Sequence, residues 1–380
     1  MTSVYLDHAA STPMDPAALQ VLIELSGRVG NSSSLHGSGR QARRVVEESR
    51  ERIAAALGAH PTEVIFTSGG TESDNLAVKG MAWAARAADA ARNRVVVSAV
   101  EHHAVLDPAH WLHASQGFEV YEAPVDSDGR LRPLDLTSDV GVVSVMWANN
   151  ETGTLQPIDA VVDAAHAVGA LAHSDAVHVV GSLPVDFSTS GLDSMTVSGH
   201  KLGGPIGVGA LLARRGLRLT ELAHGGAQER ARSGTINAPA IGAFAIAVEA
   251  AVRSQATYAV SVGRFRDDLV AGILAAVPDA ELNGGAHRLP THANITFLRC
   301  GADDLLMLLD AAGVEVSTGS ACTAGVPQPS HVLLAMGRSE SAASSSLRFS
   351  LGRSTTAADI ERAVAATADA VLRLRSTSRS

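Results

Sequence analysis

Lysine is almost missing from this chain. Only Lys79 and Lys201 occur among 380 residues, and arginine carries the rest of the basic charge. Cysteine is as scarce. Cys300 and Cys322 are too few for a disulfide framework, so the chain reads as cytoplasmic. Long apolar runs are absent too. The most apolar long segment, 238–252, contains Glu249 and is too short to cross a bilayer. The first sixteen residues have neither a basic stretch nor an apolar one, so no signal peptide is expected. Positive charge is also lacking: the net charge is −9 and the pI near 5.9, which argues against a nucleic-acid-binding surface as the main function. What remains is a 380-residue chain, 46% hydrophobic, long enough for two domains with separate cores.

One of the two lysines stands in an informative place. Lys201 follows an alternating run, Ser194-Met195-Thr196-Val197, and sits in Ser198-Gly199-His200-Lys201, ahead of Leu202-Gly203-Gly204-Pro205. In a chain that otherwise uses arginine, a lysine between hydroxyls, an imidazole and glycines suggests a nucleophilic amine. Arginine cannot form a Schiff base, whereas a desolvated lysine can. Lys79 falls in a helical stretch and reads as a surface residue.

Strands and helices alternate along the chain. A strand over 63–68 runs into Gly69-Gly70-Thr71-Glu72-Ser73, and a helix is expected from Leu76 to Ala91. Strand, glycine turn, hydroxyl and helix start together can bind phosphate, because helix-start N–H groups are unpaired and the dipole favours an anion. An ordinary helix cap by Thr71 or Ser73 explains the same residues. A strand over 94–99 ends in Glu101-His102-His103. Another over 140–147 ends in Asn149-Asn150. A short one at 171–173 ends in Asp175. In doubly wound sheets ligands sit at the carboxyl ends of strands. Gly70, His102, Asn150, Asp175 and Lys201 would therefore converge on one site in an α/β fold.

A phosphorylated aldehyde cofactor explains this set. Lys201 would hold it as a Schiff base. Gly70, Thr71, Ser198 and His200 would hold its phosphate. Asp175 would pair with a protonated pyridine nitrogen, and His102 could stack on the ring and move protons. That is pyridoxal phosphate chemistry. His110 and His113 are one helical turn apart, with His103 nearby, but no acidic or cysteine ligand completes a metal set, so no metal is expected.

Residues 5–13, 31–39, 66–75, 101–105, 148–153, 198–201, 224–235, 319–323 and 346–353 together resemble the cysteine desulfurases of the class V aminotransferase group. The resemblance implies a fold type I pyridoxal-phosphate enzyme. Its large domain, 15–255, would have a mostly parallel sheet flanked by helices. A smaller α+β domain, 1–14 and 256–380, would carry the cysteine loop. Gly319-Ser320-Ala321-Cys322-Thr323 resembles the group whose nucleophile rides on a mobile loop. Cysteine would become alanine, with Lys201 moving the Cα proton and Cys322 taking the sulfur as a persulfide for an acceptor protein. Iron–sulfur assembly, tRNA thiolation and DNA sulfur modification are the destinations found among relatives.

Further roles follow from the same resemblance. Arg348 would clamp the substrate carboxylate with Asn31 assisting, although Arg348 also suits a structural ion pair. Asn150 would face the cofactor's phenolic oxygen. Thr235 would reach the phosphate of the neighbouring subunit, implying a homodimer. Four positions depart from the family pattern: His178 for a usual glutamine at the phenolic oxygen, His8 for asparagine, Ser32 for proline and Ile206 for lysine. Cys300, after a strand, reads as inert. A selenocysteine lyase or other β-eliminating enzyme on the same fold, or a non-catalytic relative, are the competing readings.

Overall fold

The computed structural model describes residues 3–319 and 328–377, so Cys322 lies outside the described residues. In chain order the elements are β1 (Val4–Tyr5), α1 (Pro16–Ser26), α2 (Gly37–Leu57), β2 (Val64–Thr67), α3 (Gly70–Ala88), β3 (Arg94–Ser98), α4 (His103–Gln116) and β4 (Glu119–Ala123). Then come β5 (Val140–Ser144), α5 (Ile158–Ala167), β6 (Leu171–Asp175), β7 (Ser194–Ser198), β8 (Gly209–Ala213) and α6 (Ala238–Ala276). The rest are β9 (Ala280–Asn283), β10 (His292–Phe297), α7 (Ala302–Ala311), β11 (Val314–Glu315), α8 (His331–Ala335), α9 (Glu340–Ala343), β12 (Ser346–Ser350) and α10 (Ala357–Thr377).

Seven strands form the main sheet, in the order β2-β8-β7-β6-β5-β3-β4. β8 is antiparallel to both neighbours, and the other pairs are parallel. β5, β7 and β8 are buried along their whole length, as expected of strands covered on both faces. Because β8 reverses direction, β2 points the same way as β7. The ends of β2, β3, β5, β6 and β7 therefore open on one edge of the sheet. That common edge is what positions the site.

A second, antiparallel sheet has the order β12-β10-β9, and β1 pairs with β11 beside it. Its core joins Val4 and Leu6 to Leu269, Ile273, Phe297, Leu305 and Phe349. The main core is separate and contains Ile241, Phe244 and Val248. One helix serves both. α6 is a single helix of 39 residues. No glycine or proline interrupts residues 243–262, so the helix has no reason to stop. Among the described residues, no helix is long and apolar enough to cross a membrane.

Candidate active site

The glycine turn comes first. α3 starts at Gly70, six residues before the expected Leu76, and Gly69 is its N-cap, with φ 149° and no side-chain cap bond. The alternative of a Thr71 or Ser73 cap does not hold. Thr71 is exposed, while buried Ser73 pairs its hydroxyl with Thr67 Oγ1 at 2.7 Å. A side chain at Gly70 would meet Val177 Cγ2 at 3.2 Å and Ser198 Cβ at 3.7 Å. The uncapped helix start thus lies against the end of β7, where Ser198 Oγ is 3.0 Å from His200 Nδ1.

Lys201 lies in the single helical turn Gly199–Lys201 that follows β7. Its Nζ donates to the carbonyls of Ala9 and Ala10. Burial, and then Arg348, lower the amine's pKa to about 8, against the pull of Asp175 and Asp7. Asp175 ends β6 and is buried, accepting the Val177 N–H at 2.8 Å. Burial raises its carboxyl to about 6. No cation is bonded to it among the described residues, so it is suited to a positively charged partner.

Lys201 opens onto a cleft of about 340 Å³ lined also by His102, Asn150, His178, Arg348 and Ser317 to Gly319. His102 caps α4, its Nδ1 accepting the Ala104 N–H at 3.0 Å. Burial, then Lys201, lowers its pKa to about 4, leaving a neutral ring. Arg348 takes the structural ion pair and also faces the cleft. It pairs with Asp7 at 2.8 Å and donates to the Asn150 carbonyl at 3.0 Å, yet it lines the cleft.

Other expected residues lie elsewhere. Asn31 and Thr235 are exposed and, like Thr71, do not line the cleft. His103, His110 and His113 bond separately to Asp107, Glu122 and the Phe118 carbonyl. Cys300 is buried. Lys79 is not a simple surface residue: its ammonium lies 4.2 Å from the Trp111 ring centroid and 5.4 Å from that of Trp83.

Sequence reasoning passed over Asp7, Asp74, Glu101 and His173. The last three are buried behind Asp175. His173 holds Ser144 Oγ at 2.8 Å and Thr196 Oγ1 at 3.1 Å. Thr196 also bonds Asp74, whose carboxyl is held well above the usual range by burial and by Asp175. Repeated carboxyl and imidazole residues next to strand ends were the only available signal.

The donor set fits pyridoxal phosphate. An uncapped glycine helix start with Ser198 and His200 suits the phosphate, a half-buried amine of lowered pKa suits the aldehyde, and a buried carboxyl without a cation suits a ring nitrogen.

Residues 4–363 match the aminotransferase class-V family. An IscS-like cysteine desulfurase of Mycobacterium tuberculosis is 51% identical over 380 residues, which span 98% of this chain and 97% of that protein. Cysteine desulfurase NifS of Azotobacter vinelandii is 43% identical over 387 residues, spanning 100% and 95%. Among solved structures, a NifS-like protein matches with a TM-score of 0.90 at 32% identity, covering 98% of this chain and 100% of that one. This chain therefore belongs to the aminotransferase class-V family and, within it, to the pyridoxal-phosphate-dependent cysteine desulfurases.

Proposed function

We propose that this protein takes sulfur from L-cysteine, releases L-alanine and passes the sulfur on through a persulfide on Cys322. The observation that carries the reading is Lys201. It is a half-buried amine with a pKa near 8, placed between Asp175 and a cleft lined by His102 and Arg348.

Bound pyridoxal phosphate would supply the electron sink that loosens the substrate's Cα–H and Cβ–S bonds. Lys201 anchors that group and afterwards takes the Cα proton, which its lowered pKa makes feasible near neutral pH. Asp175 stays ionised against the ring nitrogen. Gly70, Thr71, Ser198 and His200 would hold the phosphate. His102 would cover the ring, and Asn150 and His178 would face the phenolic oxygen. Arg348, already half committed to Asp7, offers the rest of its fork to the substrate carboxylate, with Asn31 assisting. The Cys322 sulfur bonds to the departing sulfur as the Cβ–S bond breaks, and the Cβ carbon takes up a proton. One cysteine and one thiol thus become one alanine and one persulfide.

Residues 15–255 would form the cofactor-holding unit, working against a second unit, 1–14 and 256–380, that brings Arg348 and Cys322. Thr235 would serve the site of a second copy in a cytoplasmic homodimer. The sulfur acceptor is a protein, since the net charge of −9 disfavours direct contact with nucleic acid. Turnover of sulfur-labelled cysteine tests the reading. Equal alanine and protein-bound label, with the label on the peptide holding Cys322, is expected. A Cys322→Ala protein that still released sulfide at the full rate would replace it with simple β-elimination.

A further inference from the structure

Two of the departures from the family pattern meet in space. His8 and His178 both line a second, smaller cavity of about 40 Å³ on the other side of Lys201, together with Thr12, Thr291 and His292. His178 and Lys201 line both this cavity and the cleft. The His178 and His292 rings stand edge to face, with centroids 5.5 Å apart.

The cavity walls carry unused hydrogen-bonding capacity. Thr12 donates its hydroxyl to the His8 carbonyl, so its oxygen accepts from His8 Nδ1 at 3.1 Å. His8 Nε2 is then a lone pair, buried and without a partner among the described residues. His292 Nδ1 is 2.8 Å from Thr291 Oγ1, and its buried Nε2 makes no close hydrogen bond among the described residues, although the Asn150 backbone lies near enough to act on the ring. Buried polar atoms in native proteins have partners, and a polar cavity of this size has room for water. The orphaned His8 nitrogen, the His292 ring and the Lys201 amine around one such space are the partners an internal water needs.

Burial keeps the rings neutral, so each retains a lone pair that can accept a hydrogen bond. Burial lowers His8 to about 4 and His292 to about 3, and holds His178 well below its ordinary value. Lys201, Arg348, Arg266 and His102 face this group from the other elements, and Asp7 opposes them only at His8.

We propose that His8, His178 and His292 form one positioning unit for Lys201, holding water in the small cavity and letting the lysine exchange its proton with that water. The idea rests on the desulfurase reading, because it concerns the proton that Lys201 takes from the substrate. A deuteron lifted from the substrate Cα onto Lys201 is swapped for a cavity proton before Lys201 gives one back to the carbon skeleton of alanine.

Cα-deuterated cysteine, turned over in ordinary water by the cofactor-loaded full chain, tests it. Wild-type alanine should be largely free of deuterium. The double variant His8→Leu/His178→Leu, which removes both ring nitrogens from the cavity wall, should show a several-fold rise in retained deuterium, because nothing at those positions can then hold the water with which Lys201 exchanges. A purely structural role would change the rate and leave the label unmoved. Unchanged label in the variant, or deuterium kept by the wild type, overturns the proposal. If no alanine forms at all, it is the desulfurase reading that fails. Should the variant not fold, nitrogen NMR of the wild-type imidazoles decides. Neutral rings at pH 7, with the His8 proton on Nδ1, are expected, and an imidazolium or the opposite tautomer at His8 overturns the proposal.

Discussion

At the scale of single residues, burial sets the chemistry by working in opposite directions on acids and bases. It lowers Lys201 to about 8 and raises Asp175 to about 6, so amine and carboxyl draw together on the pH scale. An amine of that lowered pKa is suited to hold an aldehyde. Borohydride reduction of the cofactor-loaded protein, followed by proteolysis, is expected to tag Lys201. A tag on Lys79 would overturn the site, because its ammonium is already committed to two indole rings. A second prediction concerns His173, whose pKa burial lowers to about 3 against an ordinary 6.5. Between those values the unfolded chain binds a proton that the folded chain does not. The neutral ring's contribution is therefore present above pH 6.5 and is lost as pH falls towards 3. Each unit costs about 1.4 kcal/mol for this one group. Denaturant unfolding of His173→Gln across pH 6.5 to 4 should show a shallower acid loss than wild type. Equal slopes would mean that His173 takes its proton in the folded state. Lys201, Asp175 and His102 stand out in the sequence because each stands at or just past the end of a strand. Asp74 and Glu101 do not, since only tertiary packing brings α3 and the segment after β3 behind β6.

At the scale of elements, the site depends on backbone approaching backbone. A Cβ at Gly209 in β8 would lie 2.7 Å from the Val197 carbonyl oxygen and 2.8 Å from Gly69 Cα. Neither neighbour is a side chain that could turn away. Gly209→Ala must therefore push the glycine turn off the end of β7. We expect a loss of about 1–3 kcal/mol in stability, the usual range for overpacking. Cofactor affinity should fall about tenfold or more, equivalent to about 1.4 kcal/mol. Fluorescence titration of the cofactor-free protein reads the second effect, and unchanged affinity would show that this turn does not hold the phosphate. The strands that lead to the site were legible from their apolar runs, such as β3, expected over 94–99 and found over Arg94–Ser98. The failures have physical causes. β4 escaped notice because it is an edge strand with exposed Glu119 and Glu122, the charged pattern that edges carry. The start of α3 was placed late because Gly-Gly-Thr reads locally as a turn, while packing against Ser198 and Val177 makes it helix.

At the scale of the whole molecule, the residues that fail to reach their own cleft are informative. Asn31 and Thr235 are both exposed. Gly30, next to Asn31 in sequence, and Ala238, three residues after Thr235, line a shallow hollow shared with Leu25, Arg28, Val29, Gln41 and Val45. Ile23 is 66% exposed, and Val29 and Leu35 are each 87% exposed. Exposed large apolar side chains of this kind are candidates for an interaction surface. A two-fold contact would present the same patch on both copies and carry Thr235 towards the neighbour's site. Light scattering should therefore give twice 39.1 kDa at micromolar protein. Ile23→Asp/Leu35→Asp should give the single-chain mass. Exposed substitutions of this kind change folding stability by only about 0.5 kcal/mol, so the isolated chain should stay folded. Its cofactor affinity should nonetheless fall, because Thr235 of a second copy no longer reaches the phosphate. A wild-type monomer, or an aspartate variant that remains dimeric with full affinity, would remove this face from the interface and return Thr235 to the status of a surface residue.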